Sequence, residues 1–200
     1  MTTLPPIDDV DESQLPRVLS ILLEPSDVLF SALVPGLVAS IASRTKFTSY
    51  ADLIDAAIAQ VASWDLPLRA QFIEGHPRIG ETKNLSALSA KEQGATPTVA
   101  PTAPEVLARL AHLNACYERR YPGLRYITFV NGRSRAAIAL EMEDVLGLPH
   151  SLSPDQPSVD EIAQIQPGAE AWRIELDRAV VDVGRIAKSR LGTMKIQNGR

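Results

Sequence analysis

A single cysteine in 200 residues leaves Cys116 with no partner in the chain, so no intrachain disulfide can form and no cysteine cluster can hold a metal. It fits a reducing compartment. Histidines number three. None stands at ligand spacing from another, which removes the common zinc arrangements. No apolar run approaches the ~20 residues that span a bilayer as a helix. Basic residues (20) are scattered and slightly outnumbered by acidic ones (24), for a net charge of −4. That balance lacks the electrostatic footprint of a nucleic-acid binder. A phosphate-cradling loop is missing too, because Gly75 and Gly80 flank a histidine rather than a P-loop lysine. Nothing resembles the elbow that presents a nucleophilic serine. The N-terminus, Met1-Thr2-Thr3-Leu4-Pro5-Pro6, turns acidic instead of opening a secretory leader. Ser189-Arg190-Leu191 would resemble a peroxisomal address at a C-terminus, but nine residues follow it. The expectation is a cytoplasmic location, ahead of a peroxisomal one.

What is present is helical periodicity nearly everywhere. Residues 1–12 read as a Pro- and Asp-rich entry segment. A first helix is expected over Ser13 to Leu23, stopped by Glu24-Pro25. A second, capped by Ser26 or Asp27, runs to about Ser43, with a break or kink at Pro35. Thr48-Ser49 with Asp52 resembles a capping box. It opens a helix carrying Leu53, Ile54, Ala57, Ile58 and Val61 on one stripe. Leu66 to Glu74 predicts a short helix, and Ser86 to about Gly94 another. Residues 94–104 and 149–160 read as surface loops. Between them, Pro104 suits a helical first turn, with Val106, Leu110, Leu113 and Tyr117 following at helical spacing. Leu124 to Val130, β-branched and aromatic, is the one convincing extended segment. A helix follows over Ser134 to Leu146, and the last runs from about Ala169 to Leu191, leaving 192–200 as a tail. One extended segment cannot make a sheet alone. The expected architecture is therefore an all-α, single-domain helical bundle spanning 1–200 with one buried extended stretch at about 124–130.

Four features could carry chemistry. His76 lies in Gly75-His76-Pro77-Arg78-Ile79-Gly80, and Pro77 holds it out of the α region. A loop histidine often only hydrogen-bonds backbone. One held rigidly at a helix end is also a sound place for a base that titrates near neutrality. Ser89-Ala90-Lys91-Glu92-Gln93 places Ser89, Glu92 and Gln93 on one helix face. They form either a capping box or a polar wall in which Glu92 partners His76. Arg190 follows Leu176, Val180, Val183 and Ala187 on the apolar stripe of the last helix. It either snorkels outward or meets an anion, because an isolated buried charge is costly. Finally, the backbone of Tyr126-Ile127-Thr128-Phe129-Val130 has no helix to satisfy it and must pair with a strand, water or a ligand. His112 reads as structural and His150 as solvated.

Taken together, these residues resemble the 2-oxo-4-hydroxy-4-carboxy-5-ureidoimidazoline (OHCU) decarboxylase family of urate degradation. The resemblance rests on His76 to Gly80, on Ser89 to Gln93, and on Leu113-Asn114-x-x-Tyr117-Glu118. It continues through Tyr126 to Val130, Asn131-Gly132-Arg133-Ser134 and Arg190-Leu191, with weaker positions at Glu24-Pro25-Ser26 and Arg44-x-x-Phe47. It implies an all-α fold, no cofactor and no metal, and conversion of OHCU to (S)-allantoin and carbon dioxide. It also implies a homodimer whose partner is otherwise only the small-molecule substrate, with no nucleic acid or membrane. His76 and Glu92 would be catalytic. Pro77, Ser89, Ala90, Lys91, Glu92, Gln93, Tyr126, Ile127, Thr128, Phe129, Val130 and Arg190 would bind substrate.

The chain departs from the family pattern after Gln93, where Gly94-Ala95-Thr96-Pro97 begins a proline-rich insertion. It departs again at Tyr121-Pro122-Gly123-Leu124-Arg125 and over 148–167. These departures mark a divergent member, fungal-like in its loops. Two alternatives stay open: the same site acting on another carboxylated heterocycle, and a non-catalytic helical binding or dimerisation module.

Overall fold

Asp11 decides where the first helix begins. Its carboxylate accepts from the amides of Ser13 and Gln14 at 2.9 and 3.1 Å, which holds them in a turn. Helix α1 therefore starts at Leu15, two residues later than expected, and ends at Leu23. The computed structural model describes residues 3–42, 47–81 and 102–196. Among these residues there are seven α-helices: α1, α2 (Val34–Ala42), α3 (Tyr50–Ser63), α4 (Leu66–Glu74), α5 (Pro104–Arg120), α6 (Arg135–Leu146) and α7 (Glu170–Leu191). The all-α expectation is borne out. The helix expected over 86–94 and the loop residues 94–101 lie outside the described residues. No described helix is long and apolar enough to cross a membrane. The chain divides into two compact units, one made of residues up to Gly75 together with those from Asp177 onward, the other running from His76 to Leu176.

In the first unit the expected break at Pro35 takes a particular form. Proline has no N–H and its ring crowds the carbonyl four residues back. The chain answers with a π-helical turn over Leu29–Leu33, closed by the Val34 amide on the Leu29 carbonyl, and continues directly into α2. The carbonyls of Ala32 and Leu33 accept from the Gln60 amide of α3 at 3.3 and 3.4 Å. Gly36 leaves room for that amide, since a Cβ there would collide with it. Helix α3 starts where the capping box placed it, with the Ser49 hydroxyl accepting from the Asp52 amide at 3.1 Å. Its buried face carries Leu53, Ile54, Ala57 and Val61. Asp65 caps α4 through the Leu68 amide at 3.0 Å. The entry segment and the tail do more than connect. Thr3–Leu4 (β1) and Lys195–Ile196 (β2) pair in parallel, Thr3 opposite Lys195, a contact two residues long that no sequence period announces.

Tyr50, at the head of α3, is buried, and its hydroxyl donates to the Pro5 carbonyl at 2.8 Å. Burial pushes its phenol up to about 12, against the opposing pull of Arg17. The unfolded phenol releases its proton near 10, so the folded state binds more protons between those values and stability falls as pH rises through that window. Thermal midpoints measured from pH 9 to 12 should drop for the wild type and drop less steeply for Tyr50→Phe. Parallel slopes would remove Tyr50 from the alkaline transition.

In the second unit α5 and α6 form the frame. Val106, Leu110, Leu113 and Tyr117 are buried on α5, as their spacing predicts. Ser134 caps α6 through the Ala137 amide at 3.2 Å, and Gly147, at φ 67°, ends it in the left-handed conformation that glycine adopts without strain. Trp172, in the first turns of α7, donates to the Pro122 carbonyl at 3.0 Å, and Tyr117 donates to Glu175 at 2.6 Å. Residues 124–130 carry neither helix nor strand pairing. Leu124, Tyr126, Ile127 and Thr128 are buried, as expected of this segment, while residues 125, 129 and 130 are partly exposed.

Candidate functional site

One face of α5 holds the loop that carries His76. Leu110, Asn114 and Glu118 stand four residues apart and therefore share that face. Each touches a successive part of the loop. Glu118 takes Arg78 bidentately, Nε to Oε1 at 2.6 Å and Nη2 to Oε2 at 2.9 Å. That fork-on-fork geometry fixes direction as well as charge. Asn114 Nδ2 donates to the Ile79 carbonyl at 2.9 Å. Gly80, at φ 85°, lies so close to Leu110 that an added Cβ would sit 3.1 Å from the leucine Cβ. At the other end of the loop, α4 closes with the Gly75 amide on the Gln71 carbonyl at 3.1 Å. Arg125 then donates to the carbonyl of His76 itself. His76 is 6% exposed. With Pro77 restricting its backbone and these anchors around it, the imidazole stands on a fixed base rather than a swinging loop.

The segment 126–130 is tied to α6 by one carboxylate. Glu141 Oε1 accepts from the Tyr126 hydroxyl at 2.6 Å and from Thr128 Oγ1 at 2.9 Å. Arg133 pairs with the same carboxylate and reaches back to Thr128 Oγ1 at 3.0 Å. The Tyr126 ring meets Tyr117 edge to face, 5.2 Å between centroids. Arg133 also covers the carbonyls of Phe129 and Val130. Arg125 joins this segment to the His76 loop, so two features that are distant in sequence are held together within the second unit.

Arg190 belongs to the first unit. It is 4% exposed, so it does not snorkel. Its Nη2 meets Glu24 Oε1 at 2.6 Å, and its Nη1 meets the carbonyls of Leu22 and Ile21 at 3.2 and 3.4 Å. The anion that its position demanded is thus a glutamate of this chain. Glu24 is 6% exposed and caps α1 with φ 66° and ψ 138°. Pro25 imposes the ψ. A positive φ on a non-glycine residue costs on the order of 1–3 kcal/mol.

Ser89, Ala90, Lys91, Glu92 and Gln93 lie outside the described residues. His112 is structural, its Nε2 2.8 Å from the Pro157 carbonyl and 3.3 Å from Cys116 Sγ. That carbonyl can only accept, so Nε2 carries the proton and cannot act as a base toward the thiol. Burial raises the pKa of Cys116, which keeps the thiol protonated. His150 is exposed beside Asp144 at 2.8 Å.

Glu141 and Arg125 have no site role in the sequence reasoning, and Glu24, Asn114 and Glu118 have none beyond the family resemblance. The four-residue spacing from Leu110 through Asn114 to Glu118 was a usable signal. Nothing local marks Arg125 or Glu141. Arg135 is a further buried cation, 8% exposed, contacting Thr102 Oγ1 at 3.3 Å and the Glu81 carbonyl at 3.5 Å. Burial without a carboxylate among the described residues lowers its pKa.

A rigidly placed, buried imidazole can exchange a proton with a bound polar ring. A family model described as OHCU decarboxylase matches residues 9–156. The matched span takes in Glu24, His76 and the segment 126–130 and ends before α7. No curated protein matches the chain.

Proposed function

Because the chain belongs to the OHCU decarboxylase family, we propose that it decarboxylates 2-oxo-4-hydroxy-4-carboxy-5-ureidoimidazoline to (S)-allantoin and carbon dioxide. The observation that carries this reading is the buried His76 on its anchored loop, inside the matched span. When the bond from C4 to the carboxylate breaks, its electron pair moves toward C5 and the ring C=N accepts charge at nitrogen, leaving an enol at C4 that becomes the allantoin carbonyl once C5 is protonated and the C4 hydroxyl loses its proton. Such a species is stabilised by donors already in place and by exclusion of water. A proton must then return to one face of the ring. In this reading His76 moves that proton, with Glu92 beside it. Pro77, Ser89 to Gln93 and the backbone of Tyr126 to Val130 hold the ring, and Arg190 donates to it. Holding the carboxylate out of the ring plane aligns the breaking bond with the π system of the ring C=N. The active species in this proposal is a homodimer, which light scattering would register as twice the chain mass.

The reaction runs spontaneously and gives racemic product, so rate and handedness both report on the protein. Freshly generated OHCU should decay faster with the protein present, and the allantoin formed should be the S enantiomer in excess. A decay rate and a racemate identical to those of the protein-free control would refute the activity.

A further inference from the structure

We infer that Glu24 is a positioning residue for Arg190, and through it for the substrate group that Arg190 grips. This rests on the reading above in which Arg190 contacts OHCU. Two independent observations carry it. The first is the pairing: Glu24 Oε1 accepts from Arg190 Nη2 at 2.6 Å, and both side chains are more than nine-tenths buried. Nη1 is meanwhile directed at the last carbonyls of α1, those of Leu22 and Ile21. These carry the negative end of the helix dipole. One carboxylate and one helix terminus therefore fix both terminal nitrogens of the guanidinium. Shielded from water, such charge-assisted contacts are short and directional.

The second observation is the backbone of Glu24, at φ 66°. With ψ 138° it is not the left-handed helical conformation in which helices commonly end. Here the chain keeps a glutamate in a conformation that L residues avoid. Strained backbone persists where its surroundings impose it, and it clusters at functional sites. A purely structural ion pair needs no strained residue, since a carboxylate on relaxed backbone would serve. The strain places the carboxylate one residue beyond α1, beside the guanidinium that the helix end also holds. Glu24 thus orients Arg190 without itself meeting the substrate.

Steady-state kinetics on OHCU, well below the thermal midpoints, test this with three variants of the full chain. Glu24→Gln keeps the shape and an acceptor but loses the charge. It should raise KM about tenfold with kcat changed less than about twofold, the signature of lost binding common to ground and transition states. Glu24→Asp keeps the charge on a shorter arm and should raise KM about threefold, an intermediate effect. It also carries the test if Glu24→Gln does not fold. Adding Arg190→Gln to Glu24→Gln should raise KM by less than the product of the two single effects, because both act through one guanidinium. Active wild type together with Glu24 variants of unchanged KM and lowered thermal midpoint would overturn this role alone and leave Glu24 a structural partner. Wild type that does not accelerate the reaction overturns the activity and this role together.

Discussion

Replacing His76 with asparagine should cost about two to four orders of magnitude in kcat, the usual worth of a positioned general acid or base. KM should stay close to wild type. The expectation follows from what surrounds the residue rather than from the residue type alone. The Arg78–Glu118 fork, the Asn114 contact with the Ile79 carbonyl, and the Arg125 contact with the His76 carbonyl all act on parts other than the imidazole. An asparagine at 76 therefore leaves the loop anchored, and an amide of smaller volume fits the same buried space. The thermal midpoint should shift by only a few degrees, the scale of about 1 kcal/mol in a chain of this size. What asparagine cannot supply is a group that takes and returns a proton near neutral pH. The handedness of the product sharpens the test. Any residual turnover should drift toward racemic allantoin, because the ring would still lose carbon dioxide but would be reprotonated by water from either face. If His76→Asn keeps more than a tenth of kcat and full enantiomeric excess, the proton comes from elsewhere. Glu92 would then be the first residue to replace.

Local rules made most of the helical frame legible in the sequence. Helices α3, α4 and α6 start within one residue of where the sequence places them, and the structure caps them with Ser49, Asp65 and Ser134. In each case the deciding bond lies within three residues. Where a bond between distant residues decided the outcome, the sequence was silent. Glu141 stands half-buried on α6 like many helix glutamates, and its three partners come from residues 126, 128 and 133. Arg125 is flanked by the buried Leu124 and Tyr126, and its acceptor is a backbone carbonyl 49 residues away, which has no side-chain signature. Arg190 falls between these cases. The apolar stripe of α7 left it two outcomes, snorkelling outward or meeting an anion, and burial decided for the second. That the anion is Glu24 depends on a contact across 166 residues. The break at Pro35 was legible as a break. The π turn that it takes, and the Gln60 amide of α3 that meets the Ala32 and Leu33 carbonyls, carry no local signal.

The largest effect on stability is expected in the second unit, at Arg109 and Glu143. They are 1% and 0% exposed, with Nη2 and Nε reaching Glu143 Oε1 at 2.7 and 2.8 Å. Arg109→Met leaves a carboxylate in a dry interior, and Glu143→Leu leaves a guanidinium there. Removing one partner of such a pair costs about 3–5 kcal/mol, or roughly 10 °C or more in thermal midpoint for a chain of this length. The double variant Arg109→Met/Glu143→Leu should be more stable than either single one. It abolishes both uncompensated charges, and it removes Glu143 Oε2, a buried oxygen with no partner among the described residues. Recovery should nonetheless stop short of wild type. Arg109 Nη1 also donates to the carbonyls of Ser153 and Gln156, and Glu143 Oε1 accepts from the Ser151 amide at 3.0 Å. Those bonds hold the segment after α6 and are lost in the double variant. Thermal unfolding of the four proteins gives the pair's coupling, expected at about 1–3 kcal/mol. Hydrogen exchange at 151–157 should rise in every variant that lacks Arg109, including the partly rescued one. Additive single effects would mean that the charges do not sense one another. Unchanged exchange at 151–157 would mean that the loop is held by something other than the arginine.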